Sequence, residues 1–203
     1  SNLCRLITSS YIEADRQNPK LKTGQLVKYH QGIILLTGCR KGLIPRLVTE
    51  DRMHEAEVAL KQYIDWFSIE NVFIELQQNL IYGDTKRNRR LVELSHRVGV
   101  QVVATNNTHY HIADRHRLQD ALVAIQHNKS LEETHRERRP NNHFHLKHHS
   151  QMTMLFRDLP AAIENTLVLA ERCKFDLTRD LNYKFTDYPV PDNYTPFSYL
   201  KEL

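Results

Sequence analysis

Glycine is scarce in this chain, with six in 203 residues. Loops that wrap a phosphate with backbone N–H groups depend on glycine, and the sequence contains no G-x-x-x-x-G-K-[ST] segment. The nucleophile motif G-x-S-x-G and paired C-x-x-C motifs are also missing. The sequence therefore disfavours a P-loop nucleotidase, an α/β-hydrolase and a zinc ribbon.

Cysteines and long apolar runs are equally few. Cys4, Cys39 and Cys173 are far apart and odd in number, which argues against a disulfide framework and for a reducing compartment. No window approaches the roughly 18 apolar residues of a spanning helix, and the first residues lack the regions of a signal peptide. We expect a cytoplasmic protein and, since the chain does not begin with methionine, a piece of a longer one.

The net charge of +4 is too small to indicate a polyanionic partner. Two local runs, KRNRR (86–90) and HRERR (135–139), are denser, and the simpler interpretation is a solvated helix face and a polar loop. Histidine is unusually concentrated, because nine of the twelve lie between His109 and His149. Histidine is the commonest metal ligand, so this region is the first place to look for a site.

Short apolar segments alternate with amphipathic ones over the first half of the chain. The pattern predicts strands at 32–39, 71–77 and 100–105, a helix at 49–67 with Thr49 as its N-cap, and a helix at 84–99 closed by Gly99. Strands separated by helices of this length imply crossover connections and a parallel sheet, open or closed into a barrel. The predicted fold class is α/β.

The chain becomes helical after the third predicted strand. Helices are predicted at 113–126, at 150–158 with Ser150 as the cap, and at 160–174 with Pro160 in the first turn. A segment rich in proline and tyrosine, 182–203, is predicted to be an extended connector that opens another helix at Thr195. We place a domain boundary near residue 180.

The carboxyl ends of the predicted strands carry the residues that could perform chemistry. These ends include Cys39, Glu75, Asn107 and His109, and such ends converge at one edge of a parallel sheet. A thiolate, a carboxylate and an imidazole together would suit zinc or a similar cation. Taken singly, a cysteine at the position of Cys39 is more often a small buried hydrophobe, and a lone histidine such as His109 is usually a hydrogen-bonded loop residue. Glu75 is as readily an exposed acid as a functional one.

A second histidine cluster lies in NNHFHLKHH (141–149). His143 and His145 could face the same way, but no acid or cysteine accompanies them, so a polar loop entering a short strand is the favoured interpretation.

Seven segments, in order, resemble the PHP (polymerase and histidinol phosphatase) domain of bacterial DNA polymerase III alpha subunits. They are NLCRLIT (2–8), GIILLTGCRKGLIPRLV (32–48), NVFIELQQN (71–79), VVATNNTHY (102–110), RHRLQDALVAI (115–125), HLKHHSQMTMLF (145–156) and LPAAIENTLVLAERCKFDL (159–177). RHRL and RRPNNHFHLK (138–147) look most like the error-prone branch of that family.

The resemblance implies a PHP domain over 1–180, without its N-terminal ligand-bearing strands, and a connector over 181–203 into a polymerase palm domain. The family fold is a distorted seven-stranded α/β barrel that holds up to three divalent metal ions, such as zinc or manganese. Of its ligand positions, Cys39, Asn107 and His109 are matched here. Asn107 replaces an aspartate, and a neutral amide binds such cations less well than a carboxylate. We therefore expect a degenerate metal site, and magnesium only in the palm domain, which lies outside this sequence.

Three functions follow from the resemblance. The first is a structural PHP domain that packs against the other domains of a DNA-directed DNA polymerase acting on DNA. The second is a metal-dependent 3′-5′ exonuclease that proofreads, with Cys39 and His109 as metal ligands. The third is a free-standing phosphoesterase of the histidinol phosphatase kind. As a fragment of a polymerase domain, the isolated chain is expected to self-associate, because an incomplete sheet exposes an unpaired strand edge.

Overall fold

A computed structural model describes residues 2–12, 14, 18–176, 178–180 and 189–203. In chain order the elements are α1 (Asn2–Ile12), α2 (Thr23–Lys28), β1 (Leu35–Leu36), α3 (Leu43–Thr49), α4 (Met53–Phe67), β2 (Val72–Gln77), α5 (Asp84–Val98), β3 (Gln101–Thr105), α6 (His116–His127), α7 (His149–Leu155), α8 (Pro160–Arg172) and α9 (Pro196–Glu202). The chain divides into two compact units, Ser1–Leu169 and Ala170–Leu203.

The sheet of the first unit is parallel and has the order β1-β2-β3. Leu35 pairs with Val72, and β2 pairs with β3 from Phe73↔Gln101 to Gln77↔Thr105. The described residues thus form a mixed α/β fold with a parallel sheet, as predicted. β1 is much shorter than the predicted segment, and both of its residues are only half-buried.

A hydrophobic core lies between β2 and the helices α3, α4 and α5. Its fully buried members include Ile44, Leu60, Ile74, Leu76 and Leu91. Each such side chain contributes roughly 1.5–3 kcal/mol when it is removed from water. This core fixes the positions of the strand ends that follow β1, β2 and β3.

The helix predicted over 49–67 is present as α4, but it begins only at Met53, and the prediction that Thr49 is its cap is wrong. Thr49 is the last residue of α3, and its hydroxyl donates to the carbonyl oxygen of Pro45 at 2.8 Å. The chain then turns through Asp51, which has a φ of 64°, before α4 begins at Met53. The proline does not break α3, because it lies in the first turn, where its missing N–H would have no partner.

Ser150 is not the cap of α7. The cap is His148, whose ring accepts from the N–H of Ser150 at 3.3 Å, while the Gln151 side chain accepts from the N–H of His148 at 2.9 Å. An imidazole nitrogen thus replaces the usual serine oxygen in a reciprocal capping arrangement.

Two other predicted helix ends are confirmed. α5 ends at Val98 and is closed by Gly99, which adopts the left-handed conformation with a φ of 78°. In the second unit α9 is capped by Thr195, whose hydroxyl accepts from the N–H of Ser198 at 3.1 Å. Part of the predicted connector, 181–188, lies outside the described residues, and the boundary near residue 180 remains a prediction. None of the described helices is both long and apolar enough to cross a membrane.

Candidate functional site

The loops that follow the three strands meet around one cavity of about 160 Å³. Cys39 comes from the loop after β1, Asn79 from the loop after β2, and Asn107 and His109 from the loop after β3. Asn107 has a φ of 45°, a left-handed conformation that asparagine tolerates better than most residues. The structure therefore brings together Cys39, Asn107 and His109, three of the four residues named at the predicted strand ends, and leaves out Glu75.

The loop that carries Cys39 is tightly packed. The N–H of Gly42 donates to the carbonyl oxygen of Cys39 at 2.7 Å. A Cβ atom on Gly42 would lie 2.7 Å from the carbonyl oxygen of Thr37, so only glycine fits this position without movement of the backbone. Thr37 in turn joins the loop to β2, because its hydroxyl accepts from the N–H of Glu75 at 3.0 Å.

Glu75 is held by side chains of the sheet. Its carboxylate accepts hydrogen bonds from the hydroxyl of Thr105 and from Nε2 of Gln77, the latter at 2.8 Å. Gln77 lines the cavity and Glu75 does not, so this acid stands behind the cavity wall.

Neutral amide side chains join the strand-end loops to the later segment 141–147. Nδ2 of Asn141 donates to the carbonyl oxygen of Asn79 at 2.8 Å, and Nδ2 of Asn79 donates to that of His143 at 3.0 Å. Nδ2 of Asn106 donates to the carbonyl oxygen of His145 at 2.7 Å. These bonds fix the geometry of the cavity and use no charged group.

Asp84, the first residue of α5, is an almost completely buried carboxylate in the cavity wall. It accepts from the N–H of Asn79 at 2.9 Å, from the N–H of Ile81 at 3.2 Å and from the Arg87 guanidinium at 2.7 Å. The Arg87 side chain is only 10% exposed, so the ion pair is largely shielded from water. Asp84 thus ties the loop after β2 to the start of α5.

His109 is engaged by an arginine. Nη2 of Arg139 lies 2.6 Å from Nε2 of His109, and the guanidinium also stands over the ring of Phe144 at 5.0 Å. A guanidinium can only donate, so Nε2 must be the unprotonated nitrogen of a neutral imidazole. Burial and the positive charge of Arg139 both lower the pKa of His109, which agrees with the neutral form.

Positive charge predominates around the cavity. Arg40, Lys41, Arg87 and Arg139 line it, whereas Asp84 is the only carboxylate among the described lining residues. Burial and the nearby Arg40 lower the pKa of Arg139. The cavity as a whole repels a further cation.

These residues do not fit a divalent metal ion. The Nε2 lone pair that would bind a metal already accepts from Arg139, Asn107 offers only a neutral amide, and cations surround the cavity. Within the described part of the chain, no group of three or more His, Cys, Asp or Glu side chains is placed to hold a metal.

The second histidine cluster belongs to a polar segment beside the sheet. The rings of His143 and His145 lie 6.3 Å apart, and His145 forms an isolated parallel bridge with Tyr110. Burial, with Lys147 and His145 close by, lowers the pKa of His143.

Arg139, Asn79 and Asp84 are central residues that the sequence patterns did not reveal. Asn79 and Asp84 flank the end of β2 and the start of α5, so the strand-end rule that selected Cys39 could have selected Asn79 as well. Arg139 lies 30 residues beyond His109 at the end of the HRERR run (135–139), which the sequence indicated only as a polar loop.

Comparisons with known proteins identify relatives. Residues 1–79 match the PHP domain. The chain is 31% identical to the error-prone DNA polymerase of Symbiobacterium thermophilum, over 100% of this chain and 20% of that protein. It is 33% identical to the DNA polymerase III subunit alpha of Borreliella burgdorferi, over 98% and 17% of the two chains, and 31% identical to that of Thermus aquaticus, over 100% and 17%. The chain spans about a fifth, or less, of these relatives.

Proposed function

This chain is a relative of the PHP segment of bacterial DNA polymerase III alpha subunits and error-prone DNA polymerases, and on that premise we propose that it has a structural role in a polymerase. Residues 1–180 form part of a seven-stranded barrel, whose other strands come from elsewhere in the parent protein. Residues 181–203 connect this domain to the palm domain. The parent protein is a cytoplasmic DNA-directed DNA polymerase, and magnesium bound in the palm serves nucleotide addition to DNA.

The contact between Arg139 and His109 carries this proposal. A permanent cation occupies the lone pair that a metal ion would need, and it is held over Phe144 by a cation–π contact. The cavity is thereby stabilised without a metal, while the buried Asp84–Arg87 pair and the asparagine side chains fix the surrounding loops. A domain stabilised in this way can pack against other domains of a polymerase without binding a metal ion.

The second candidate function is a metal-dependent 3′-5′ exonuclease. The observation that favours it is the convergence of Cys39, Asn107 and His109 on one cavity, where they would serve as ligands of zinc or manganese. It requires Arg139 to leave His109 when the metal enters. A free-standing phosphoesterase is less well supported, because the relatives named above are polymerases that align with nearly the whole chain.

Metal analysis of the intact polymerase that contains this chain separates the two candidates. The structural role predicts less than one zinc, manganese or iron ion per chain outside the palm, and a melting temperature that a chelator does not change. It also predicts no removal of a mispaired 3′ nucleotide beyond that seen with a His109→Ala variant.

Two variants make the test sharper. Asn107→Asp alone is expected to gain little metal, because Arg139 still occupies His109. The double variant Asn107→Asp with Arg139→Ala is expected to bind zinc or manganese measurably. Two or three tightly bound ions in the unmodified protein, together with exonuclease activity that is lost in His109→Ala, would overturn the structural role.

A further inference from the structure

The basic run at the start of α5 forms one wall of a second cavity, of about 750 Å³. Its described lining includes Lys86, Arg87, Arg89 and Arg90 and no carboxylate. Tyr82, in the turn before the helix, lies at the same cavity and its side chain is fully exposed. We call this surface, formed by Tyr82, Lys86 and Arg89 together with the cavity, the α5 basic face.

Two of the four cations are occupied within the fold. Arg87 pairs with the buried Asp84, and Arg90 pairs with Asp51 and donates to the carbonyl oxygen of Val48 at 3.2 Å. Lys86 and Arg89 form no ion pair with any residue that the structure describes, and both are exposed. They are one turn apart on the same helix face, where like charges repel unless an anion lies between them.

Tyr82 is presented by a rigid turn. Leu80 has a φ of 54° and Gly83 a φ of 90°, and the left-handed conformation is uncommon for leucine. Asp84 and Asn141 hold this turn, since Asp84 accepts from the N–H of Ile81 and Asn141 donates to the carbonyl oxygen of Leu80 at 3.3 Å. The backbone that carries Tyr82 is therefore held in place before any partner arrives, and its ring projects into solvent. A backbone that is already ordered lowers the entropic cost of binding.

We propose that the α5 basic face binds single-stranded nucleic acid. Lys86 and Arg89 contact successive phosphates, and a base stacks on the ring of Tyr82. Single-strand sites combine a positively charged groove with aromatic rings that accept any base, and both components are present here. A duplex would leave Tyr82 without a role, because its bases are already stacked. An acidic peptide would account for the cations but not for the fully exposed aromatic ring beside them.

In the parent polymerase the strand available to this face is unpaired template DNA. This step rests on the proposed function only for the identity of the parent protein. Metal content and exonuclease assays test the structural role and do not involve Tyr82, whereas the experiments below test nucleic-acid binding at Tyr82. Failure of one proposal can therefore be distinguished from failure of the other.

Site-specific crosslinking in the intact polymerase tests the proposal. The photoreactive residue p-benzoylphenylalanine is placed at position 82 and, as a control, at position 11, where Tyr11 is also exposed. The DNA probe is a primed duplex with a long oligothymidine template overhang. Position 82 should crosslink to the overhang, position 11 should not, and Lys86→Gln with Arg89→Gln should remove most of the crosslink. Arg97→Gln, a charge loss at the other end of α5, should leave it unchanged.

An affinity ratio supplies the second measurement. The preference of the polymerase for the overhang probe over the same duplex with blunt ends should fall about 5- to 150-fold in Tyr82→Ala and remain in Tyr82→Phe, which keeps the ring. Crosslinking of position 82 to a polypeptide instead of DNA would overturn the proposal, as would a yield no higher than at position 11.

Discussion

Asp84 is the residue on which the wall of the strand-end cavity depends most. It is buried, it satisfies two backbone N–H groups, and it neutralises an arginine that is itself mostly buried. Removing one member of such a pair leaves the other charge without compensation in a medium of low dielectric constant.

Asp84→Ala should therefore lower the free energy of unfolding by about 3–5 kcal/mol. The measurement is chemical denaturation of the chain, with the midpoint and slope fitted separately. Glu93→Ala is the matched control, because Glu93 pairs with Arg97 on the exposed surface of the same helix and should cost about 0.5 kcal/mol or less. Equal losses in the two variants would contradict the assignment of Asp84.

His143 gives the stability of the fold a pH dependence. Its pKa is lowered in the folded state, so below about pH 6.5 the unfolded chain takes up a proton that the folded chain resists. Stability should fall as the pH falls through this region, and the fall should be smaller in His143→Gln. Urea denaturation of the unmodified chain and of His143→Gln, each at a pH above and a pH below 6.5, measures how the free energy of unfolding of each protein changes with pH. An equal or steeper fall in the variant would rule out this role of His143.

Among the single residues, Cys39 and His109 were predictable and Arg139 was not. The end of a parallel strand selects a position in sequence, because all such ends meet at one edge of the sheet. Arg139 reaches the same cavity through tertiary packing of a segment without periodicity. Its contact with Nε2 of His109 forms only when the chain has folded.

At the scale of elements, the residue pattern predicted β2, α5 and the glycine that closes α5. β2 is a short run of mainly apolar residues, and α5 is an amphipathic segment followed directly by Gly99. The predicted length of β1 was too great, because the length of a strand is set by backbone pairing and not by apolar character. Only two residues of the predicted segment pair with β2. The division between α3 and α4 was missed because the sequence Thr49–Glu50–Asp51 is typical of a helix start. In the structure the Thr49 hydroxyl instead donates to the carbonyl oxygen of Pro45 within α3.

Gly42 shows how one loop controls the position of Cys39. Gly42→Ala should lower the free energy of unfolding by about 1–3 kcal/mol, because the added Cβ meets backbone oxygens that cannot move independently. Gly24→Ala in α2 is the control, since a Cβ there meets nothing within 4 Å and alanine favours helix. Thermal and chemical unfolding of both variants provides the test, which fails if Gly42→Ala is as stable as the control.

On the scale of the whole molecule, the described sheet has two outer strands of different character. The outer edge of β3 is partly covered, because Asn165 donates to the carbonyl oxygen of Val102 at 2.8 Å. β1 pairs only with β2 among the described strands. A strand edge without a second paired strand can recruit another chain.

The isolated chain should therefore self-associate as its concentration rises, with a sedimentation coefficient that increases across the dilution series. A constant monomeric mass for the isolated chain at every concentration would contradict the prediction.

The asparagine bonds around the strand-end cavity have a consequence for how the protein responds to its surroundings. Amides carry no charge to be screened, take up no proton and release no ion, so the bonds that the Nδ2 groups of Asn79, Asn106 and Asn141 donate to backbone carbonyl oxygens do not depend on the supply of metal. Depletion of zinc or manganese in the cell would therefore leave these contacts between the strand-end loops and residues 141–147 intact.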